Sequence, residues 1–433
     1  MQNYIYIQTY GCSANQNNSE ILKGLLIQAG YQITNNQDIA DTIILNTCIV
    51  KQKTENKIKR KIQDLKSKKL IIITGCMPET NPKQIKQLNP NTILLGTHHF
   101  KDIINLIKNH KEENLDWQKQ NQYLSEQNEE KLNLPKIPKN KLISITQISE
   151  GCLGNCTFCK TRLAKHKLFS YPEEEILKSI ESDLKNGAKE VWITSQDNAN
   201  YGMDQNNKKQ KLPELLNKIL NLNHRFKLRL GMMDPNNVLL ILNQLIEIYK
   251  HPKIYKFLHI PIQSASNKIL KHMNRLYTIE QAEHIINKFR KNIPDITIST
   301  DIITGYPTET QQDHNRNLKF IQNIKPDIFN LSKFSSHKQT RAGKLKQLSI
   351  NIISQRTTEL MQAHRQTALE NKNKFLNKEI KVFVNKKISN NLFQAREDNY
   401  NIVLINSKEK ILGKNIKAKI KQIAVHNMLG EII

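Results

Sequence analysis

Gly151-Cys-Leu-Gly-Asn-Cys-Thr-Phe-Cys159 follows directly on the apolar, β-branched run Leu142–Ile148, and the reading of this stretch decides the fold. Its cysteines are spaced C-x3-C-x2-C on a loop that leaves a predicted strand. Three thiolates so close together can hold three corners of a cubane iron–sulfur cluster and leave one iron open. A structural zinc site wants four protein ligands in a closed tetrahedron, and no nearby His or Cys completes one. His166, the closest candidate, lies seven residues beyond Cys159 in a basic stretch that reads as ordinary surface.

Downstream, βα alternation continues. Glu190–Thr194, Arg225–Leu230, Lys256–Pro261, Ile296–Ile303 and Asp327–Phe334 read as further strands, with helices including Pro172–Asn186, Asn237–Tyr249 and Thr278–Lys291 between them. Six βα units from residue 138 to about 370 predict a partial (β/α)6 barrel with its site at the carboxyl ends of the strands.

Upstream, residues 1–110 alternate strands (Tyr4–Tyr10, Thr42–Cys48, Leu70–Cys76, Thr92–Thr97) with helices, which predicts an α/β domain with a doubly wound parallel sheet. The other three cysteines, Cys12, Cys48 and Cys76, each fall at or just past the carboxyl end of a successive strand. In a parallel sheet those ends share the edge where ligands bind, so the three converge on a second cluster. Gly11 and Gly75, each preceding a cysteine, let the backbone turn close to a bulky ligand. Three unrelated core cysteines are the alternative. Residues 111–137 are polar, end in Pro135 and Pro138, and read as a linker.

Residues 372–433 change character. Glu379–Val384, Asn391–Arg396, Asn401–Ile405 and Lys414–Val425 read as strands without helices between them, hence a small antiparallel β-barrel, OB-like in kind. The segment holds 13 Lys and Arg against 5 Asp and Glu, a net of +8. Lys417, Lys419 and Lys421 alternate with apolar neighbours and would line one strand face as a phosphate track, unless they only solubilise an edge strand. The whole chain carries +27, which points to a polyanionic partner, RNA above all.

The composition excludes several classes. With 38% hydrophobic residues the chain reads as soluble and globular, and no apolar run of spanning length occurs. Met1-Gln-Asn-Tyr4 opens into a strand without a basic leader, and the chain stops at Ile433 directly after the barrel strands. A cytoplasmic protein without a membrane anchor is therefore expected; a monomer is expected as well. Six cysteines in a reducing compartment speak for metal or redox chemistry rather than disulfides. No Walker loop, HExxH run or Ser-His-Asp order supports a kinase or hydrolase.

These features resemble the methylthiotransferase family of radical S-adenosylmethionine (SAM) enzymes, over essentially the whole chain. Within it the sequence is most similar to the archaeal and eukaryotic branch acting on N6-threonylcarbamoyladenosine (t6A) in tRNA. The likeness rests on Thr9-Tyr-Gly-Cys-Ser-Ala-Asn-Gln16, Gly151–Lys160, Leu168-Phe-Ser-Tyr-Pro172, Thr194-Ser-Gln-Asp197 with Tyr201-Gly202, Arg229-Leu-Gly-Met-Met233 and Ser299-Thr-Asp-Ile-Ile303. It implies a cluster-binding N-terminal domain, a radical SAM barrel and a C-terminal TRAM domain. It implies a [4Fe-4S] cluster on Cys152, Cys156 and Cys159 that binds SAM and generates a 5′-deoxyadenosyl radical, and a second [4Fe-4S] cluster on Cys12, Cys48 and Cys76 that carries the inserted sulfur. The t6A-bearing anticodon loop of tRNA and an external electron donor are the implied partners. Isopentenyladenosine, the substrate of a sister branch, is the alternative, as is a non-catalytic RNA-binding protein with structural metal.

The resemblance places Phe158 near the SAM adenine and Gln196 and Asp197 in a signature segment, while Arg275 matches a family position but equally reads as a surface ion pair. Gln263 and Ser264 past strand four, and Asp301 on strand five, are candidates for SAM or substrate contact at the barrel mouth, or else structural hydrogen bonders. His259 and Trp192 read as core. Two segments depart from the family: Thr308 replaces a usual glycine in Gly305-Tyr-Pro-Thr-Glu-Thr310, and Ser335-Ser-His-Lys-Gln-Thr-Arg-Ala342 replaces a Pro-rich run.

Overall fold

The computed structural model describes residues 3–65, 69–111, 122–124, 129–205 and 208–433. The chain divides into two compact units, one formed by residues 1–139, 145–154 and 159–179, the other by 140–144, 155–158 and 180–433.

The first unit runs β1 (Tyr4–Thr9), α1 (Ser13–Gln28), β2 (Gln32–Thr34), β3 (Thr42–Thr47), α2 (Gln52–Asp64), β4 (Leu70–Gly75), α3 (Cys76–Thr80), α4 (Pro82–Leu88), β5 (Ile93–Leu95), α5 (Ile103–Lys111) and β6 (Gln122–Tyr123). These strands form one sheet in the order β2-β1-β3-β4-β5-β6, every pairing parallel. Every residue of β3 and β4 is buried, because helices cover both faces. Ile44 and Ile72 enter one core, while Ile43, Leu45, Ile71 and Ile73 enter the other. The doubly wound sheet expected from the sequence is present, with β2 and β6 added at its edges. β6 comes from the expected linker, most of which (112–121 and 125–128) lies outside the described residues.

The second run of strands opens with β7 (Ile143–Gln147), which straddles the division between the units. The first unit keeps β8 (Ser149–Glu150), α6 (Thr161–Lys165) and β9 (Phe169–Ser170), with β8 and β9 antiparallel. After α7 (Glu173–Lys185), the second unit continues with β10 (Glu190–Thr194), α8 (Leu212–Leu220), β11 (Lys227–Leu230), α9 (Pro235–Tyr249), β12 (Phe257–His259), α10 (Asn267–His272), α11 (Ile279–Asn292), β13 (Thr297–Thr304), α12 (Gln311–Ile324) and β14 (Ile328–Lys333). Two three-stranded sheets, β7-β10-β11 and β12-β13-β14, stand side by side. A parallel bridge between Leu228 and Ile254 joins them into a six-stranded arc. This is the partial barrel that the sequence predicts.

The long helix α13 (Ile350–Asn373) leads into β15 (Glu379–Lys387), β16 (Leu392–Arg396), β17 (Ile402–Asn406), β18 (Asn415–Ile423) and β19 (Met428–Ile432). They close a barrel in the order β15-β16-β17-β19-β18. Four of its pairings are antiparallel and one, β17 with β19, is parallel. β19 has no counterpart among the four expected strands: it is short and carries Gly430 at its centre, which weakens the strand signal. Among the described residues no helix is long and apolar enough to cross a membrane.

This barrel belongs to the same unit as the arc. Tyr400, on the β16–β17 turn, inserts among Trp192, Tyr255 and Phe257 with ring centroids 4.7–6.2 Å away. The Arg396 guanidinium lies 3.7 Å from its ring centroid. Asn385 donates from Nδ2 to Glu190 Oε1 at 2.7 Å, and the Lys256 N–H donates to the Asp398 carbonyl at 2.9 Å. Tyr400→Ala empties the centre of this contact, so it should lower unfolding stability by about 3–5 kcal/mol, read from the urea midpoint.

Candidate active site

β1, β3 and β4 end side by side, and Cys12, Cys48 and Cys76 follow at one sheet edge. Cys12 is the exposed N-cap of α1; Cys48 and Cys76 are buried, and Cys76 opens α3. Buried amides stitch the strand ends together. Asn15 Nδ2 donates to the carbonyls of Tyr10 and Thr47, both at 2.8 Å, and Asn46 Nδ2 donates to the Asn15 carbonyl at 2.8 Å. Thr47 Oγ1 donates to the Thr74 carbonyl at 2.6 Å and accepts from the Met77 N–H at 3.1 Å. The three loops leave no room for side chains at the glycines. A Cβ on Gly11 would lie 2.9 Å from Cys48 Sγ, and one on Gly75 would lie 2.4 Å from the Thr47 carbonyl oxygen.

The three sulfurs feel one another. Burial pushes the Cys76 thiol up to about 12; Lys165 opposes that, while Cys12 and Cys48 add to it. Burial also raises Cys48, and Cys12 contributes. Three mutually repelling thiolates would need compensating positive charge, which the iron of a bound cluster, together with Lys165, would supply. The Oδ1 atoms of Asn15 and Asn46 are buried at this edge without a hydrogen-bond partner. The residues fit a cluster. Among the described residues no three His, Cys, Asp or Glu side chains converge as one metal ion requires.

Lys165 is itself held by a buried network. Its Nζ lies 2.6 Å from Glu150 Oε2, Lys131 Nζ lies 2.5 Å from Glu150 Oε1, and the Tyr171 hydroxyl donates to Oε1 at 2.8 Å. Burial alone would raise the Glu150 carboxyl, but Lys131 and Lys165 hold it well below the usual range. Glu150 directly precedes Gly151, so this network anchors the start of the cysteine loop in the first unit. There the Gly154 N–H donates to Cys152 Sγ at 3.2 Å.

Residues 155–158 belong to the second unit, where the carboxyl ends of the arc clamp them. Arg275 donates from Nη1 to Cys156 Sγ at 3.3 Å and forms a 2.6 Å ion pair with Asp234. Thr157 bonds the His272 carbonyl at 3.0 Å and the Tyr306 hydroxyl at 2.9 Å. Arg341 and Asn274 both donate to the Asn155 carbonyl, at 2.8 and 2.9 Å, and the Ala342 N–H donates to Thr157 O at 3.0 Å. The segment that departs from the family pattern, Ser335–Ala342, thus closes on the cysteine loop. N–H donors on Cys152 and Cys156 are what cluster-ligating sulfurs accept.

The remaining candidates occupy different environments. Phe158 is half-buried against Met273, Tyr306 and Phe334. Gln196 keeps a buried Oε1 without a partner. Asp197 is 3% exposed and its carboxylate accepts from the N–H groups of Ala199 and Asp234 and from Asn237. Burial, with Asp234 nearby, pushes its carboxyl up to about 7. Ser264 is fully buried and accepts from the Ser266 N–H. Gln263 has φ +65°, a strained conformation for a residue with a side chain. Asp301 pairs with His259 Nε2 at 2.5 Å, which gives that strand histidine a carboxylate partner. Trp192 is half-buried against the Tyr255 and Phe257 cluster. In the terminal barrel Lys417 and Lys421 are exposed and Lys419 is half-buried. Lys421 falls on a bulge between Ile420 and Gln422 and pairs with Glu431 at 3.2 Å.

Comparisons with known proteins bear on the family and the fold. Residues 4–96 match the family described as Uncharacterized protein family UPF0004, and residues 146–321 match the Radical SAM superfamily. A probable threonylcarbamoyladenosine tRNA methylthiotransferase of Pyrococcus abyssi is 36% identical over 99% of both chains. The threonylcarbamoyladenosine tRNA methylthiotransferase of Homo sapiens is 33% identical over 99% of this chain and 73% of its own. Among solved structures, the radical S-adenosylmethionine methyltransferase TsrM of Kitasatospora setae superposes with a TM-score of 0.57 at 11% identity, covering 79% of this chain and 75% of that one. The cobalamin-dependent S-adenosylmethionine radical enzyme OxsB gives 0.52 at 15% identity, over 84% and 57%. At such identities the structural likeness speaks for the fold alone.

Gly75 has φ +86° and ψ −153°, a region that only glycine occupies at low cost. Gly75→Ala should therefore cost about 1–3 kcal/mol or more in unfolding stability. Because the displaced backbone carries Cys48 and Cys76, it should also lower the iron bound per chain after anaerobic reconstitution.

Proposed function

The chain belongs to the threonylcarbamoyladenosine tRNA methylthiotransferase family, and we propose that it inserts a methylthio group at C2 of N6-threonylcarbamoyladenosine beside the anticodon of tRNA. The observation that carries this reading is the gathering of Cys12, Cys48 and Cys76 at one sheet edge, in addition to the C-x3-C-x2-C loop. A radical SAM barrel alone needs only the second set; sulfur insertion calls for the first.

In this reading Cys152, Cys156 and Cys159 hold the [4Fe-4S] cluster that takes SAM, and Cys12, Cys48 and Cys76 hold a second. The bound groups supply radical chemistry, which a purine C2–H requires because it is too inert for acid–base catalysis. The protein's part is positioning and charge. Arg275 fixes Cys156 and offsets its charge, with Asp234 holding the guanidinium in place. Lys165 places a buried ammonium beside the first triad. The unpartnered Oε1 of Gln196 is available to a ligand donor at the carboxyl end of β10. The basic terminal barrel holds tRNA, and electrons come from an external donor.

The test is anaerobic reconstitution with iron and sulfide, reaction with SAM, dithionite and t6A-containing tRNA, and mass spectrometry of the digested nucleosides. The expected product is 2-methylthio-t6A; 2-methylthio-isopentenyladenosine instead would move the chain to the sister specificity. Cys48→Ala should lose methylthiolation and about half of the iron while still cleaving SAM. Cys156→Ala should lose both activities.

A further inference from the structure

The second unit contains a cavity of about 700 Å³ at the end of the arc remote from the cysteine loop. Its walls come from the residues that begin β10, β11 and β12 and from β15, β16 and β18 of the terminal barrel. Six cations line it, Lys189, Arg225, Lys227, Lys381, Arg396 and Lys417, against one carboxylate, Asp398. Asp398 is taken up by Lys227 at 2.7 Å, and Arg396 donates to the Tyr400 carbonyl at 2.7 Å. Lys189, Arg225, Lys381 and Lys417 have no carboxylate partner among the described residues.

The strand register sharpens the point. Lys381 and Lys417 face each other directly across β15 and β18, although two residues along the same ladder Glu379 faces Lys419. Like charges in opposite positions destabilise a sheet pair. Here the repulsion falls where the barrel wall turns into the cavity, and Arg225 and Lys189 add to it from the arc. Side chains of this kind, spread over two walls, suit a row of phosphates better than a single anion. Phe226 and Phe383 add aromatic surface to the same walls.

We propose that this cavity holds a stretch of RNA backbone, away from the nucleotide that reacts. RNA contact then extends from the terminal barrel onto the amino-terminal end of the arc, through Lys189 and Arg225. The identification of the polyanion as tRNA rests on the function proposed above; the anion site itself rests on the geometry. Arg275 and the cysteine loop lie at the opposite ends of the strands, so the cavity contributes to affinity and not to the chemical step.

The test is Arg225→Gln/Lys381→Gln/Lys417→Gln, three exposed positions whose truncation leaves the core intact. Binding of fluorescent tRNA is measured from 50 to 300 mM KCl, roughly the range over which phosphate contacts dominate. The slope of log Kd against log salt should fall by about three, and affinity at low salt by tenfold or more. In turnover the variant should raise the KM for tRNA and leave kcat unchanged. Its thermal midpoint, and reductive SAM cleavage without RNA, should match the parent. Unchanged affinity and salt slope would overturn the proposal, even with methylthiolation intact. So would competition by millimolar inorganic phosphate strong enough to displace tRNA from the parent, which would mark a small-anion site. A normal salt-slope loss with no methylthio product from the parent would keep the cavity and sink the proposed function.

Discussion

Glu150 is 1% exposed, with one buried ammonium on each carboxylate oxygen. Moving three charges out of water is costly, and such a triad survives only where geometry and further hydrogen bonds offset the desolvation. The Tyr171 hydroxyl supplies the further bond. The energetic weight of the cluster lies in what breaking it would do: removing one partner leaves an uncompensated buried charge, typically about 3–5 kcal/mol. The residues it ties together are far apart in function. Lys131 follows the sheet of the first unit, Glu150 introduces the cysteine loop, and Lys165 acts on Cys76. One electrostatic knot therefore fixes the edge carrying the first triad and the entry to the second, and its Lys165 ammonium feels the charge of Cys76 and Cys12.

Much of this was legible in the residues. C-x3-C-x2-C after a strand, and cysteines at three successive strand ends, are patterns that chain connectivity and parallel-sheet topology convert directly into places. Paired groups were not legible, because the partners are distant in sequence and polar residues look alike until the fold joins them. Arg275 reads as a surface ion pair, and in the structure its pair, Asp234, only steadies it against Cys156. Asp197 stands at a strand end like a ligand, yet its carboxylate is spent on two backbone N–H groups and Asn237. Glu150 and Lys165 gave no signal at all, since a charged residue in a loop normally faces water. β19 was hidden by its central glycine and its length. In the sequence the lysines of β18 form one track; the bulge at Lys421 and its pairing with Glu431 leave Lys417 as the member that reaches the cavity.

The second unit separates its tasks along the strand axis. At the carboxyl ends, Arg275, Arg341, Asn274, Tyr306 and the His272 carbonyl hold residues 155–158 in a fixed shape. At the amino ends the terminal barrel packs through Tyr400 and leaves a cationic recess beside the contact. A barrel used only for stability would have little reason to keep opposed lysines at such a junction.

The hydrogen bonds around the cysteines also bear on when each set takes shape as the chain emerges from synthesis. Those that join the first triad's strand ends span 32 and 27 residues, between Asn15 and Thr47 and between Thr47 and Thr74. Those that fix residues 155–158 span 115, 149 and 186 residues, to His272, Tyr306 and Arg341. Closing such long loops is slow and waits on the intervening strands. Synthesis runs from the amino end, so the first edge can be complete while the arc is still being made. The loop bearing Cys156 reaches its final form only after nearly the whole arc and the segment beyond it have folded. The folding of the two cysteine sets is in this way ordered by topology, with the loop bearing Cys156 last.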